Sequence, residues 1–140
     1  MNMKAVAPGK AVLTGEYSVL AGGPAVVLAT NSFVSISLES TGSESWAFET
    51  LGFESVPELV SPERLPASSG SSLISAILKK FGFATLRDLS EEGLLPSKII
   101  TDSSSFFLSG KKLGLGSSAA VCTASYRLLC QVLSREPNMK

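Results

Sequence analysis

The stretch FVSISLE, Phe33 to Glu39, constrains the fold of this 140-residue chain more than any other. Val34, Ile36 and Leu38 alternate with Ser35, Ser37 and Glu39, and a period of two puts these sets on opposite faces of a strand. The pattern predicts a half-buried antiparallel strand with one face on a core and the other in water. The apolar face needs a covering layer, and two later segments can supply it. SSLISAILKKFG carries Leu73, Ile77 and Phe81 on one helical stripe, widened by Ile74 and Leu78, and AAVCTASYRLLCQVL carries Val121, Ala124, Leu128 and Val132 at helical spacing. Strands first and helices afterwards predict an α+β fold, with an antiparallel or mixed sheet packed against helices, rather than a regular βαβ array.

The remaining segments fit around that plan. AVAPGKAVLTG supplies short apolar runs, with Pro8-Gly9 expected to break a strand and project Lys10. Gly15-Glu16-Tyr17 and Ala21-Gly22-Gly23-Pro24 are turn signals. SESWAFET is expected to form a hairpin with FVSISLE, Trp46 and Phe48 sharing a face. Gly52 to Ser69, rich in Pro, Glu and Ser, reads as a loop. Ser71 or Ser72 can cap the first helix and Gly82 can end it; LRDLSEEG is a second helical turn and SKIITD a short strand.

Composition then removes several function classes. At 44% hydrophobic and 17% charged, the chain is a compact domain rather than a disordered one. Twelve basic residues balance twelve acidic ones, which argues against nucleic-acid and membrane partners. Glu39 to Glu63 holds six glutamates and no lysine or arginine, a solvated acidic edge. There is no histidine, so Ser-His-Asp and Cys-His catalysis and histidine metal sites are excluded within the chain. Cys122 and Cys130 lie about 12 Å apart on one helix, too far for a disulfide, and read as reduced core residues. With no leader-like or membrane-length apolar run near the start, a cytoplasmic location is the expectation.

One segment asks for a chemical explanation. KKLGLGSSAAV, Lys111 to Val121, places two lysines and a glycine-serine turn at the mouth of a helix. A helix N-terminus presents unpaired N–H groups and partial positive charge. Glycines allow close backbone approach, serines add hydroxyls, and Ala119 and Ala120 leave space: together they describe a phosphate cradle. Three readings compete. Ser117 or Ser118 could simply cap the helix. Gly114-x-Gly116-x-x-Ala119 fits a dinucleotide fingerprint, although SGKKL is a poor buried strand. The third is a nucleotide phosphate loop of another kind; a Walker A loop fails on spacing.

A second constellation favours the third reading. Pro8-Gly9-Lys10-Ala11-Val12-Leu13-Thr14-Gly15-Glu16-Tyr17 resembles the first motif of the GHMP kinase superfamily, and Gly114 to Ala120, GLGSSAA, resembles its second, in the same order. Tyr17 after the motif's glutamate, and the lead-in Gly110-Lys111-Lys112-Leu113, look most like the phosphomevalonate kinases of that superfamily. The resemblance implies the superfamily's N-terminal ATP-binding domain over residues 1–140, similar to a domain of ribosomal and translation proteins. It implies ATP and Mg2+, and transfer of the γ-phosphoryl group to a small phosphorylated alcohol, 5-phosphomevalonate. Mevalonate or another small acceptor is the alternative, and a non-catalytic nucleotide- or RNA-binding module a further one. By the same resemblance Lys112, Gly114, Leu115, Gly116, Ser117, Ser118, Ala119 and Ala120 would hold the nucleotide, with Ser118 a metal ligand. Lys10 would be catalytic and touch the acceptor, and Glu16, Tyr17 and Ser104 would shape the acceptor side. The family's C-terminal domain has no counterpart before Lys140, so the chain is expected to be a fragment with little turnover by itself.

Overall fold

The computed structural model describes residues 2–52 and 56–137. Two long strands, β1 (Asn2–Thr14) and β2 (Val26–Ser40), pair antiparallel along their whole length. They are followed by β3 (Trp46–Leu51), a short edge strand β4 (Glu58–Val60), helices α1 (Ser72–Lys80) and α2 (Leu86–Glu91), and β5 (Ser97–Asp102). A two-strand ribbon, β6 (Phe107–Leu108) and β7 (Lys111–Lys112), leads into the closing helix α3 (Ser117–Val132). The main sheet has the order β1-β2-β5-β3-β4.

The alternation read at FVSISLE holds. Val34, Ile36 and Leu38 are buried, as are Ala5 and Ala7 of β1, Trp46 and Phe48 of β3, and Ile99 of β5. Helix α3 lies against β1 and β2, α1 packs on α3, and Ile74, Leu78, Ala120, Ala124 and Leu128 complete the core. Both helical stripes are rotated slightly from their expected positions. Ile74 and Leu78 face the core while Leu73, Ile77 and Phe81 are half-buried, and Val121 and Val132 flank a stripe centred on Ala124 and Leu128. Cys122 is half-buried, Cys130 is buried, and both are free thiols.

Three expectations need correction. Pro8-Gly9 does not break the first strand; the register shifts between Pro8 and Lys10, where Gly9 alone stands opposite Thr30, Asn31 and Ser32, so the extra residues of the bulge lie in β2 and β1 runs on continuously. SESWAFET does not pair with FVSISLE. Strand β5 is inserted between β2 and β3, antiparallel to the former and parallel to the latter. The insertion places Lys98 opposite Glu39 and in an ion pair with Glu49, and the Glu49 carboxylate holds the Lys98 pKa up. Direct pairing of β2 with β3 would set these two glutamate-bearing strands side by side without that cation. Third, the 52–69 loop contains strand β4, which pairs with β3; its residues 53–55 lie outside the described residues.

Beyond Gly9 the β1–β2 pair extends as an arm whose residues are mostly exposed, including Leu13, Val26, Val27 and Leu28. At its tip Gly15 turns the chain with φ of 86°, followed by a short 3-10 turn, Ser18–Ala21. Tyr17 stands 80% exposed there.

Candidate functional site

The two motifs are far apart in sequence and adjacent in space. Lys10 N–H donates to the Leu115 carbonyl at 2.8 Å, so β1 is hydrogen-bonded to the glycine loop at the register shift. Gly9 allows this approach. A Cβ there would stand 2.5 Å from Leu115 O, 2.5 Å from Phe106 Cε1 and 2.7 Å from Thr30 Oγ1. Gly116 is required twice over. Its φ is 74°, in the left-handed region, and a Cβ would stand 2.8 Å from Lys10 Cγ. The aliphatic stem of Lys10 thus runs along Gly116, while Lys10 itself is exposed.

The loop is held from its other end by the ribbon. Ser109 and Gly110 both have positive φ, 49° and 74°, the requirement of a type I′ turn between β6 and β7. Leu113 N–H donates to the carbonyl of Phe106, a fully buried residue. Alternation along β7 then turns Lys112, but not Lys111, toward a cleft of about 280 Å³. Lys112, Ser117, Ser118 and Val121 line the cleft from β7 and α3; Ser69, Gly70, Ser72 and Leu73 line it from the turn that opens α1. Thr50, Thr101, Ser103 and Phe107 also line it.

The start of α3 is bare. Its N-cap is Gly116, and neither Ser117 nor Ser118 caps it through a side-chain hydrogen bond. The simple capping reading therefore fails: a left-handed glycine opens the helix, and the hydroxyls are left for other partners. Ser117 is buried, whereas Ser118 and Ala119 are exposed and Ala120 packs into the core. The dinucleotide reading fails as well, because antiparallel strands precede the glycine turn and the short strand before it is solvent-exposed.

The residues expected on the acceptor side are not gathered into this cleft. Glu16 and Tyr17 sit at the tip of the β1–β2 arm, beyond Thr14. Ser104 is exposed at the end of β5, its Oγ donating to Asp102 Oδ1 at 2.6 Å and its N–H to the same oxygen at 3.0 Å. Ser103 is the serine of that run that reaches the cleft, and it also donates to Leu51 O. Sequence reasoning missed the wall Ser69–Leu73 because it belongs to a segment read as loop and helix cap; the run SSGSS at 68–72 was its only signal. It also missed Glu58, which accepts hydrogen bonds from three residues of that segment. Burial pushes the Glu58 carboxyl up, but hydrogen bonds from Ala67, Ser68 and Ser71 outweigh it and hold the pKa at about 2.

No protein-family model matches the chain. It is 30% identical to the mevalonate kinase of Aeropyrum pernix over 138 residues, which are 96% of this chain and 38% of that protein. Among solved structures, a Streptococcus pneumoniae phosphomevalonate kinase in complex with phosphomevalonate and AMPPNP superposes with a TM-score of 0.69 at 22% identity. That match covers 99% of this chain and 38% of the neighbour. The mevalonate kinase of Methanococcus jannaschii superposes with a TM-score of 0.69 at 16% identity, over 99% of this chain and 42% of the neighbour. The chain thus spans about two-fifths of the length of the proteins it matches. Its mixed sheet packed against helices is the fold of the N-terminal region of these GHMP kinases, and the resemblance read from the two motifs extends over nearly the whole chain.

Proposed function

We propose that this chain is the phosphate-binding part of an ATP-dependent small-molecule kinase, acting on 5-phosphomevalonate. The observation that carries the reading is the joining of Lys10 to the Gly114–Ser118 loop, through the 2.8 Å bond to Leu115 and the close contact with Gly116. One cation flanks the loop on the strand side and Lys112 flanks it on the cleft side, with the uncapped amides of α3 between them. That is a charge pattern suited to a polyphosphate.

Phosphoryl transfer asks the protein for positioning and charge neutralisation more than for covalent chemistry. The N–H groups at the start of α3 bind phosphate oxygens, and the Ser117 and Ser118 hydroxyls donate alongside. Lys10 reaches past Gly116 and stabilises negative charge on the transferring group or on the acceptor phosphate. A phosphorylated acceptor is ionised at neutral pH, so a lysine serves it without a general base. The site also fits Mg2+, because Ser118 offers an exposed hard oxygen and Mg2+ completes its shell with water and substrate phosphates. Among the described residues no group of three or more His, Cys, Asp or Glu could hold a metal unaided. When bound, Mg2+ neutralises phosphate charge. Mevalonate is the second reading for the acceptor, favoured by the 30% identity to a mevalonate kinase; Tyr17 and the Gly110–Leu113 lead-in favour the phosphorylated one.

The test has two arms. Titration of Mg·ATP into the 140-residue chain is expected to show binding that Lys10→Met weakens. Coupled ADP release by the full-length protein is expected with 5-phosphomevalonate, and to fall at least a hundredfold in Lys10→Met. Salt-dependent RNA binding without ATP binding would refute the reading. Turnover with mevalonate alone would select the second acceptor.

A further inference from the structure

Ser69, Gly70, Ser72 and Leu73, from a 3-10 turn and the first turn of α1, lie outside the sheet and line the same cleft as Lys112, Ser117 and Ser118. Something must hold this wall. Glu58 is placed by the sheet itself: it opens the edge strand β4 in register with Phe48, whose side chain is buried. From that fixed position both carboxylate oxygens reach the segment that leads into the wall. Oε1 accepts from Ala67 N–H at 3.0 Å and from Arg64 Nη1 at 3.2 Å. Oε2 accepts from Ser68 N–H at 3.0 Å and from Ser71 Oγ at 2.9 Å. Thr50 Oγ1 adds a tether to the Gly70 carbonyl at 3.3 Å.

We propose that Glu58 is a positioning residue of the cleft, its carboxylate fixing the Ser69–Leu73 wall at the distance a bound nucleotide requires from the start of α3. The role rests on the nucleotide reading of the cleft given above. Glu58 itself does not line the cleft, so it acts through the backbone it anchors. An ionised carboxylate is the required group, because four donors converge on two oxygens. A glutamine there would turn its NH2 toward one pair of donors, leaving a backbone N–H of Ala67 or Ser68 unpaired.

The test compares the wild-type chain with Glu58→Gln, Ser71→Ala and, as a control, Glu92→Gln, which alters only an exposed ion pair with Arg135. Mg·ATP is titrated by calorimetry at a temperature where circular dichroism shows every variant folded, and amide hydrogen exchange is read at 67–73 and at Ile36 and Leu38. Expected are a Kd raised about tenfold in Glu58→Gln and about threefold in Ser71→Ala, with Glu92→Gln unchanged. Exchange should quicken at 67–73 and stay slow at Ile36 and Leu38. Faster exchange at 67–73 with an unchanged Kd overturns the proposal, and so does unchanged exchange. If Glu58→Gln does not fold, Ser71→Ala decides by the same criteria. If the wild-type chain binds no ATP, the nucleotide reading falls, and the role assigned to Glu58 falls with it; exchange at 67–73 then shows only whether the carboxylate still anchors the wall.

Discussion

Gly9→Ala is the sharpest perturbation of the junction between the two motifs. Gly9 does not need a left-handed backbone, so adding a methyl group tests space alone. The new Cβ would stand 2.5 Å from Leu115 O, 2.5 Å from Phe106 Cε1 and 2.7 Å from Thr30 Oγ1. Real Cβ contacts require well over 3 Å, and relief must come from three directions. The carbonyl is backbone, engaged by Lys10 N–H at 2.8 Å, and the Phe106 ring is fully buried, so neither has free room to retreat. Overpacking of one methyl group costs about 1–3 kcal/mol, and this site belongs at the upper end, about 3 kcal/mol. In a domain of this size that corresponds to a Tm lower by about 10 °C. Urea and thermal unfolding followed by circular dichroism give the number. Gly42→Ala is the control, since nothing lies within 4 Å of its Cβ; with φ of 65° it should cost only about 1 kcal/mol, the price of a left-handed alanine. If the strain is relieved by moving the glycine loop away from Lys10, Mg·ATP affinity falls as well. A Gly9→Ala chain as stable as wild type, with unchanged nucleotide affinity, would show that β1 and the glycine loop are not packed as described.

The acid limb of stability should carry the signature of Glu58. Its folded pKa, about 2, lies below the ordinary value of 4.5, so the stabilisation is complete above about pH 4.5 and is lost as the pH falls toward 2. Because the carboxylate is partly open to solvent, about 1–2 kcal/mol is expected. Urea unfolding at pH 6, 4 and 3 should show the gap between wild type and Glu58→Gln closing over that window; parallel profiles would contradict it. At the arm, Leu20 is 84% exposed, so Leu20→Ser should change Tm by less than about 2 °C while raising solubility. A larger loss measured by calorimetry would place Leu20 inside a packed surface.

How far the sequence carries depends on the range over which its signals act. Val34, Ile36 and Leu38 announce their face by a period that neighbouring residues alone create, and the stretch folds as read. The helices over Ser72–Lys80 and Ser117–Val132 are legible for the same reason, as are Gly82 and Gly15 at their turns. The stripe of α3 is rotated because the sheet it meets, and not its own composition, decides which of several small residues is innermost. The motifs GLGSS and PGK are visible too, since glycine, serine and lysine at these spacings are residue types that suit an anion.

Pairing across the chain is another matter. Nothing local says that SKIITD should slide between two strands that precede it by dozens of residues; the choice comes from burying Ile99 and from setting Lys98 between Glu39 and Glu49. Nor does local pattern reveal that Gly9 must be small so that β1 can meet Leu115, or that Glu58 holds the wall of the cleft from an edge strand inside an apparent loop. Periodicity and turn chemistry act over a few residues, so the sequence by itself determined the elements and the residue types of the candidate site. Packing and hydrogen bonding act between surfaces that exist only after folding. The strand order, the meeting of Lys10 with the glycine loop and the Glu58 anchor were therefore decided by the tertiary structure alone.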